Sequence, residues 1–160
     1  MRNKEPAISL VAAAGLLDAI KAAGGSPDYV LEAVGLDPGV LLQPEGAIAV
    51  SLFARILEET ARITGDECFG LHFGESYNPK NIGPLAYVIL NSPTVGVGIE
   101  NTARYLQIHN EAAQASLVFE RDRAYLRFSP DQFMIHVSRQ HSEYGMAGGV
   151  NTDRLVVGSQ

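Results

Sequence analysis

The sequence predicts a helix-dominated α+β fold, with N-terminal helices packed on a small antiparallel sheet that forms late in the chain. Three observations point there. Apolar residues recur at helical spacing through most of the first two thirds of the sequence. Gly, Pro and Ser punctuate those stretches where helices start and stop. Two β-rich runs, 116–119 and 124–128, then flank the polar turn Glu120-Arg121-Asp122-Arg123, a hairpin signal.

The elements follow in order. Residues 8–23 are rich in Ala, Leu and Ile and predict a helix that Gly24-Gly25 stops. Ser26 supplies an N-cap oxygen and Pro27 a first helical residue for a short helix ending near Gly35. Residues 36–46 form a Pro/Gly-rich connection. Over 47–63 the spacing of Ile48, Leu52, Ile56 and Ile63 predicts an amphipathic helix. Residues 68–76 are ambiguous. Phe69, Leu71 and Phe73 alternate, which favours a short strand over a helical turn. A loop leads to a helix over 84–90, entered through Gly83-Pro84. The turn Asn91-Ser92-Pro93-Thr94 caps a second helix over 95–109, with Ile99, Ala103 and Leu106 on one face. Beyond the hairpin, a helical pattern resumes near Asp131 through Phe133, Val137 and Tyr144. Gly145 and Gly148-Gly149 then interrupt it. Two adjacent glycines cost about 2 kcal/mol relative to alanine in a helix interior, so an irregular end is expected.

The bulk numbers bound the function. A length of 160 residues suits one domain, and 46% hydrophobic with 19% charged residues is an ordinary globular balance. No apolar run is long enough for a membrane span, and the start lacks a signal-peptide cleavage pattern. The single cysteine, Cys68, excludes an internal disulfide and fits a reducing cytoplasm. The net charge is −6; through Glu100 there are 12 acidic against 6 basic side chains, and afterwards 6 against 6. Such a chain would be repelled by phosphates, so direct DNA contact is not expected of it.

No reaction motif emerges. His136, His141 and Glu143 lie close together, but a histidine spacing of five does not place both rings on one helical face, and no metal site is expected. Glu58-Glu59 and Asp66-Glu67 are adjacent carboxylates that diverge rather than face each other, and are read as solvated charge. On a strand, His72 would point away from Leu71 and Phe73 to the surface. Cys68 has no basic neighbour in sequence and is read as a packed thiol. The "GVG" at 96–98 lacks the rest of a dinucleotide fingerprint, and no G-x-S-x-G elbow occurs. Catalytic residues, cofactors and metals are all expected to be absent. A binding site is the better expectation. Tyr87 and Asn91 are four apart on one apolar helix, Tyr105 and His109 four apart on the next, so each pair shares a face and could direct polar groups into an apolar pocket. The alternative is that the tyrosines pack with their hydroxyls at the surface.

The same segment carries a resemblance. Gly83, Leu85 and Tyr87, the Ser92-Pro93-Thr94 turn, and Arg104-Tyr105 resemble the middle of the arabinose-binding-like N-terminal domain of AraC-family transcriptional regulators, in the branch with VirS-like and ornithine-responsive members. "FGLHFGE" (69–75), "QASLVFERDRAYLRF" (114–128) and "RQHSEYGMA" (139–147) resemble further motifs of that domain. The resemblance spans roughly residues 8–147. It implies a cytoplasmic, homodimeric sensor of a small-molecule effector. DNA would be bound through a C-terminal helix-turn-helix domain absent from these residues, so 1–160 would be a sensor domain cut short at its C-terminus. A ligand-free dimerisation module is the alternative.

Overall fold

The apolar run after Pro6 does not form one helix. In a computed structural model describing residues 5–43, 45–130 and 138–158, strand β1 (Ala7–Ser9) pairs antiparallel with β2 (Ala47–Ala49), Ile8 opposite Ile48. Both strands lie where helix was expected. Three apolar residues carry no alternation to separate strand from helix, and the pairing is set by a partner distant in sequence. The Ser9 hydroxyl accepts the Val11 N–H at 3.3 Å and starts a 3-10 turn over Leu10–Ala13. Gly15, at φ 84°, then redirects the chain into α1 (Leu16–Ala22); that left-handed conformation is one only glycine adopts cheaply.

Helix α2 (Pro27–Val34) starts and stops as its caps predict. Ser26 accepts the Tyr29 N–H, and Gly35 closes the helix at φ 74°. Helix α3 (Val50–Thr64) buries Phe53, Ile56, Leu57 and Thr60. The Thr60 hydroxyl donates to the Ile56 carbonyl at 2.7 Å, so its burial leaves no polar atom unpaired.

The ambiguous stretch, where a short strand was favoured over a helical turn, is helix α4 (Phe69–Ser76). Its meaningful period is four rather than two. Phe69 and Phe73 stack with ring centroids 6.1 Å apart in the core, while Leu71 faces outward. Gly70 and Gly74, also four apart, bring α4 against α7 (Arg139–Val157): a β-carbon on Gly74 would lie 2.6 Å from the Tyr144 carbonyl oxygen. This close packing offsets what Gly148-Gly149 cost, and α7 continues through them to Val157 instead of becoming irregular. The expected helical start at Asp131, with Phe133 and Val137, lies outside the described residues.

The next two helices and the hairpin match expectation in type. Helices α5 (Pro84–Leu90) and α6 (Val95–His109) meet at the Ser-Pro-Thr turn, where the Thr94 hydroxyl caps α6 by accepting the Val97 N–H at 3.2 Å. Strands β3 (Ala113–Glu120) and β4 (Arg123–Pro130) pair with Glu120 opposite Arg123, leaving Arg121-Asp122 as the loop. The hairpin extends further from its turn than the β-rich runs alone indicated.

Among the described residues the fold is therefore helix-dominated α+β with two small antiparallel sheets. A dry core unites α1 to α4, β1 and α7 around Phe53, Phe69, Phe73 and Tyr144. Helices α5 and α6 and the hairpin lean on its edge. β1 ties the parts together, because the Ala7 carbonyl accepts the Glu111 N–H at 2.9 Å and the Ala7 N–H donates to the Glu111 carboxylate at 2.8 Å. Among the described residues, no helix is long and apolar enough to cross a membrane.

Candidate functional site

Where α5, α6 and the hairpin meet α7 they do not close fully. A cavity of about 460 Å³ remains, within the range of small-molecule sites. Its walls are mostly aliphatic: Leu85 and Ile89 from α5, Ile99 and Leu106 from α6, Leu126 from β4. Ile99, Thr102, Leu106 and His109 recur at three- and four-residue steps, so one face of α6 supplies that wall. Opposite, α7 presents His141, Tyr144, Gly145, Gly149, Thr152 and Asp153. A β-carbon on Gly145 or Gly149 would meet no atom within 4 Å. These glycines do not serve close helix packing, as Gly74 does; they leave room on the cavity side of α7.

The aromatic floor is made by Tyr77 and Tyr144, whose rings meet edge to face at 6.0 Å. Both hydroxyls are committed to the 3-10 turn: Tyr77 donates to the Val11 carbonyl at 3.0 Å and Tyr144 to the Ala12 carbonyl at 2.7 Å. Burial pushes both phenols well above their ordinary pKa, so they remain neutral donors fixed in place.

The histidines differ. The His109 Nε2 and His141 Nδ1 atoms are buried and have no hydrogen-bond partner among the described residues. His141 is only 5% exposed and packs edge-on to Phe53 at 5.8 Å. Desolvation lowers the pKa of His109 and takes that of His141 down to about 4. Both rings are neutral at pH 7, each with one N–H donor and one lone-pair acceptor. Asp153, also on the wall, is pushed upward by burial. No Lys or Arg lines the cavity among the described residues.

The four residues singled out in the sequence are dispersed by this geometry. His109 lies in the wall. Tyr87 is 72% exposed, and Asn91 is also exposed, turning its amide back to the Tyr87 carbonyl at 2.8 Å. Tyr105 is 37% exposed, on the flank of α6 next to the Leu106 stripe. Sharing a helix face did not decide whether that face turned inward. Tyr77, placed in a loop by the sequence, and the glycines of α7 were missed as lining residues. The one legible signal was the Ile99–Leu106 stripe, which extended by helical steps reaches Thr102 and His109.

Other candidates have structural roles. Glu58 accepts the Gln140 N–H at 3.1 Å at the start of α7, so it is a capping group and not only solvated charge. Glu59 pairs with Arg62 at 2.8 Å on the surface. Asp66 accepts the Cys68 N–H at 3.1 Å and the His72 ring at 2.8 Å, leaving His72 exposed as expected, though on a helix. Cys68 does have a basic neighbour in space, the Arg139 guanidinium 3.7 Å from its sulfur. Glu143 pairs with Arg139 at 2.6 Å. His136, the third member of the weighed metal set, lies outside the described residues.

Comparison with known proteins identifies a family. The family described as the N-terminal arabinose-binding domain of AraC transcription regulators matches residues 24–160. The chain is 27% identical over 148 residues to the HTH-type transcriptional regulator VirS of Mycobacterium tuberculosis, covering 91% of this chain and 44% of that protein. It is 29% identical over 115 residues to the Ornithine utilization regulator of Pseudomonas aeruginosa, covering 72% of this chain and 34% of that protein. The chain thus spans less than half the length of either relative. These relatives are regulators rather than enzymes, and the chain belongs to the family of N-terminal arabinose-binding domains of AraC transcription regulators.

Proposed function

We propose that this domain senses a small-molecule effector in the cavity between α6, the hairpin and α7, dimerises, and controls promoter binding by a DNA-binding domain elsewhere in a longer cytoplasmic protein. The observation that carries the reading is the cavity itself: aliphatic walls over an aromatic floor whose hydroxyls are already bonded. A ligand there touches elements of both the dry core and the peripheral unit. It changes the balance between two arrangements only if it binds them unequally.

The test uses Nile red, an uncharged dye that brightens in apolar surroundings. Saturable one-to-one binding, weakened at least five-fold by His109→Ala and unchanged by Tyr87→Phe, is the expected result. Dye binding that never saturates, or that ignores His109→Ala, rejects the cavity as the sensing site.

A second reading, a ligand-free dimerisation module, is favoured by the hairpin surface. Phe119 is 67% exposed near the turn, and Tyr125 is exposed on the opposite face of the hairpin. Sedimentation velocity separates the two: this reading requires a dimer that Phe119→Ser dissociates and that no cavity ligand affects.

A further inference from the structure

We propose that the cavity selects an uncharged, largely apolar molecule and discriminates against carboxylates. This deepens, and rests on, the reading of the cavity as an effector site.

The charge inventory of the wall is the starting point. Among the described residues no Lys or Arg lines it, and its one carboxylate, Asp153, has the wrong sign for an anion. A carboxylate moved from water into such a wall gives up its hydration without gaining a cation, a penalty of several kcal/mol in apolar surroundings. The surrounding hydrogen-bond groups do not repair this. The Tyr77 and Tyr144 hydroxyls already donate to the backbone carbonyls of Val11 and Ala12. The Thr102 hydroxyl donates to the Gly98 carbonyl at 2.9 Å and that of Thr152 to the Gly148 carbonyl at 2.8 Å. The unpartnered histidine nitrogens are closed off from the cavity surface, and what remains for a ligand is the side-chain amides of Asn110 and Gln114, neither of them a cation.

Side-chain amides suit an uncharged head: a hydroxyl or carbonyl oxygen accepts from an amide N–H, and a hydroxyl donates to an amide carbonyl. The aliphatic walls take up the rest of the molecule, and Gly145 and Gly149 set how much of it fits beside α7.

The test compares 1-octanol, octanoate and octylamine, which share a tail and differ in head charge, by isothermal titration at pH 7.5. Gly149→Leu, built into the open side of α7, serves as the filled-cavity control, its fold checked by circular dichroism. If that variant fails to fold, Leu126→Phe on the facing strand replaces it. The expected result is octanol binding at least ten-fold more tightly than either charged analogue, with that binding lost in the filled variant. Octanoate or octylamine binding as tightly as octanol, and still lost in the filled variant, overturns the selectivity and leaves the effector cavity standing. No binding by any of the three, or octanol binding that survives the filled cavity, overturns both.

Discussion

The buried Gln140 side chain of α7 holds the backbone of Gly70 on α4, and of Glu67 just before it. The Gln140 side-chain carbonyl accepts the Gly70 N–H at 2.7 Å, and its amide donates to the Glu67 carbonyl at 2.8 Å. The backbone carbonyl of Gln140 meanwhile lies so close to Gly70 that a β-carbon there would overlap it. The amide is buried and both of its ends are bonded, which is how a polar side chain can sit at a helix contact without penalty. α7 is thereby pinned at its first turn, before it reaches the cavity.

This relation sets opposite expectations for two glycines. Gly70→Ala forces the helices apart and should lower unfolding free energy by about 3 kcal/mol or more, the scale of overpacking combined with a broken buried hydrogen bond. Gly145→Ala adds its methyl where no atom lies within 4 Å. It should raise stability by up to about 1 kcal/mol through helix propensity alone. Urea titrations of both variants against the parent measure the difference. Equal effects would mean that α4 and α7 do not approach as closely as described.

The sequence made the caps and the hairpin legible because their causes are local. Ser26, Gly35 and Thr94 act within their own turns, and the polar loop after Glu120 marks where the strands reverse. It left α4 ambiguous and leaned toward a strand because Gly70 and Gly74 are explained by α7, about 70 residues away, and that partner does not show in the local alternation of Phe69, Leu71 and Phe73. The β1–β2 pairing was hidden for the same reason. At the cavity, His109 could be singled out from a short polar set. The inward wall depended on how α6 rotates against α7, which the positions of Tyr87, Asn91 and Tyr105 along their helices do not fix. Tyr77 and Gly149 line the cavity only because of what lies opposite them.

Burial of His141 gives the fold a pH dependence of known sign. Its pKa is about 4 in the folded chain and near 6.5 when unfolded. Between those values the unfolded chain takes up a proton that the folded chain excludes. Stability is therefore full above pH 6.5 and falls as pH drops toward 4, by roughly 3 kcal/mol at most. His109 adds in the same direction. His72 opposes it: its hydrogen bond to Asp66 raises its pKa, which favours the fold below pH 6.5 and is lost as pH rises through the folded value. That pair is solvent-exposed, so screening keeps its effect small. Urea unfolding at pH 7.5 and pH 5 should show a clear loss in the parent, and a loss smaller by about 2 kcal/mol in His141→Phe. The same loss in both proteins would place the acid sensitivity elsewhere.

The hairpin turn offers a stability change remote from the cavity. Arg121 is the one non-glycine residue with positive φ among those described, at 55°, and it sits in the two-residue loop between Glu120 and Arg123. A left-handed conformation costs an ordinary side chain roughly 1 kcal/mol and a β-branched one more. Glycine escapes that cost but makes the unfolded chain more flexible, which offsets part of the gain. Arg121→Gly should therefore stabilise by at most about 1 kcal/mol, and Arg121→Val should destabilise by about as much. Thermal melts should rank glycine above arginine and arginine above valine; a valine variant as stable as the parent would mean the turn is not left-handed. Arg121 touches no part of the cavity wall, so octanol affinity should be the same in all three proteins. If affinity instead follows the melting temperatures, the hairpin's stability is coupled to ligand binding, and the strand that carries Leu126 moves when the site fills.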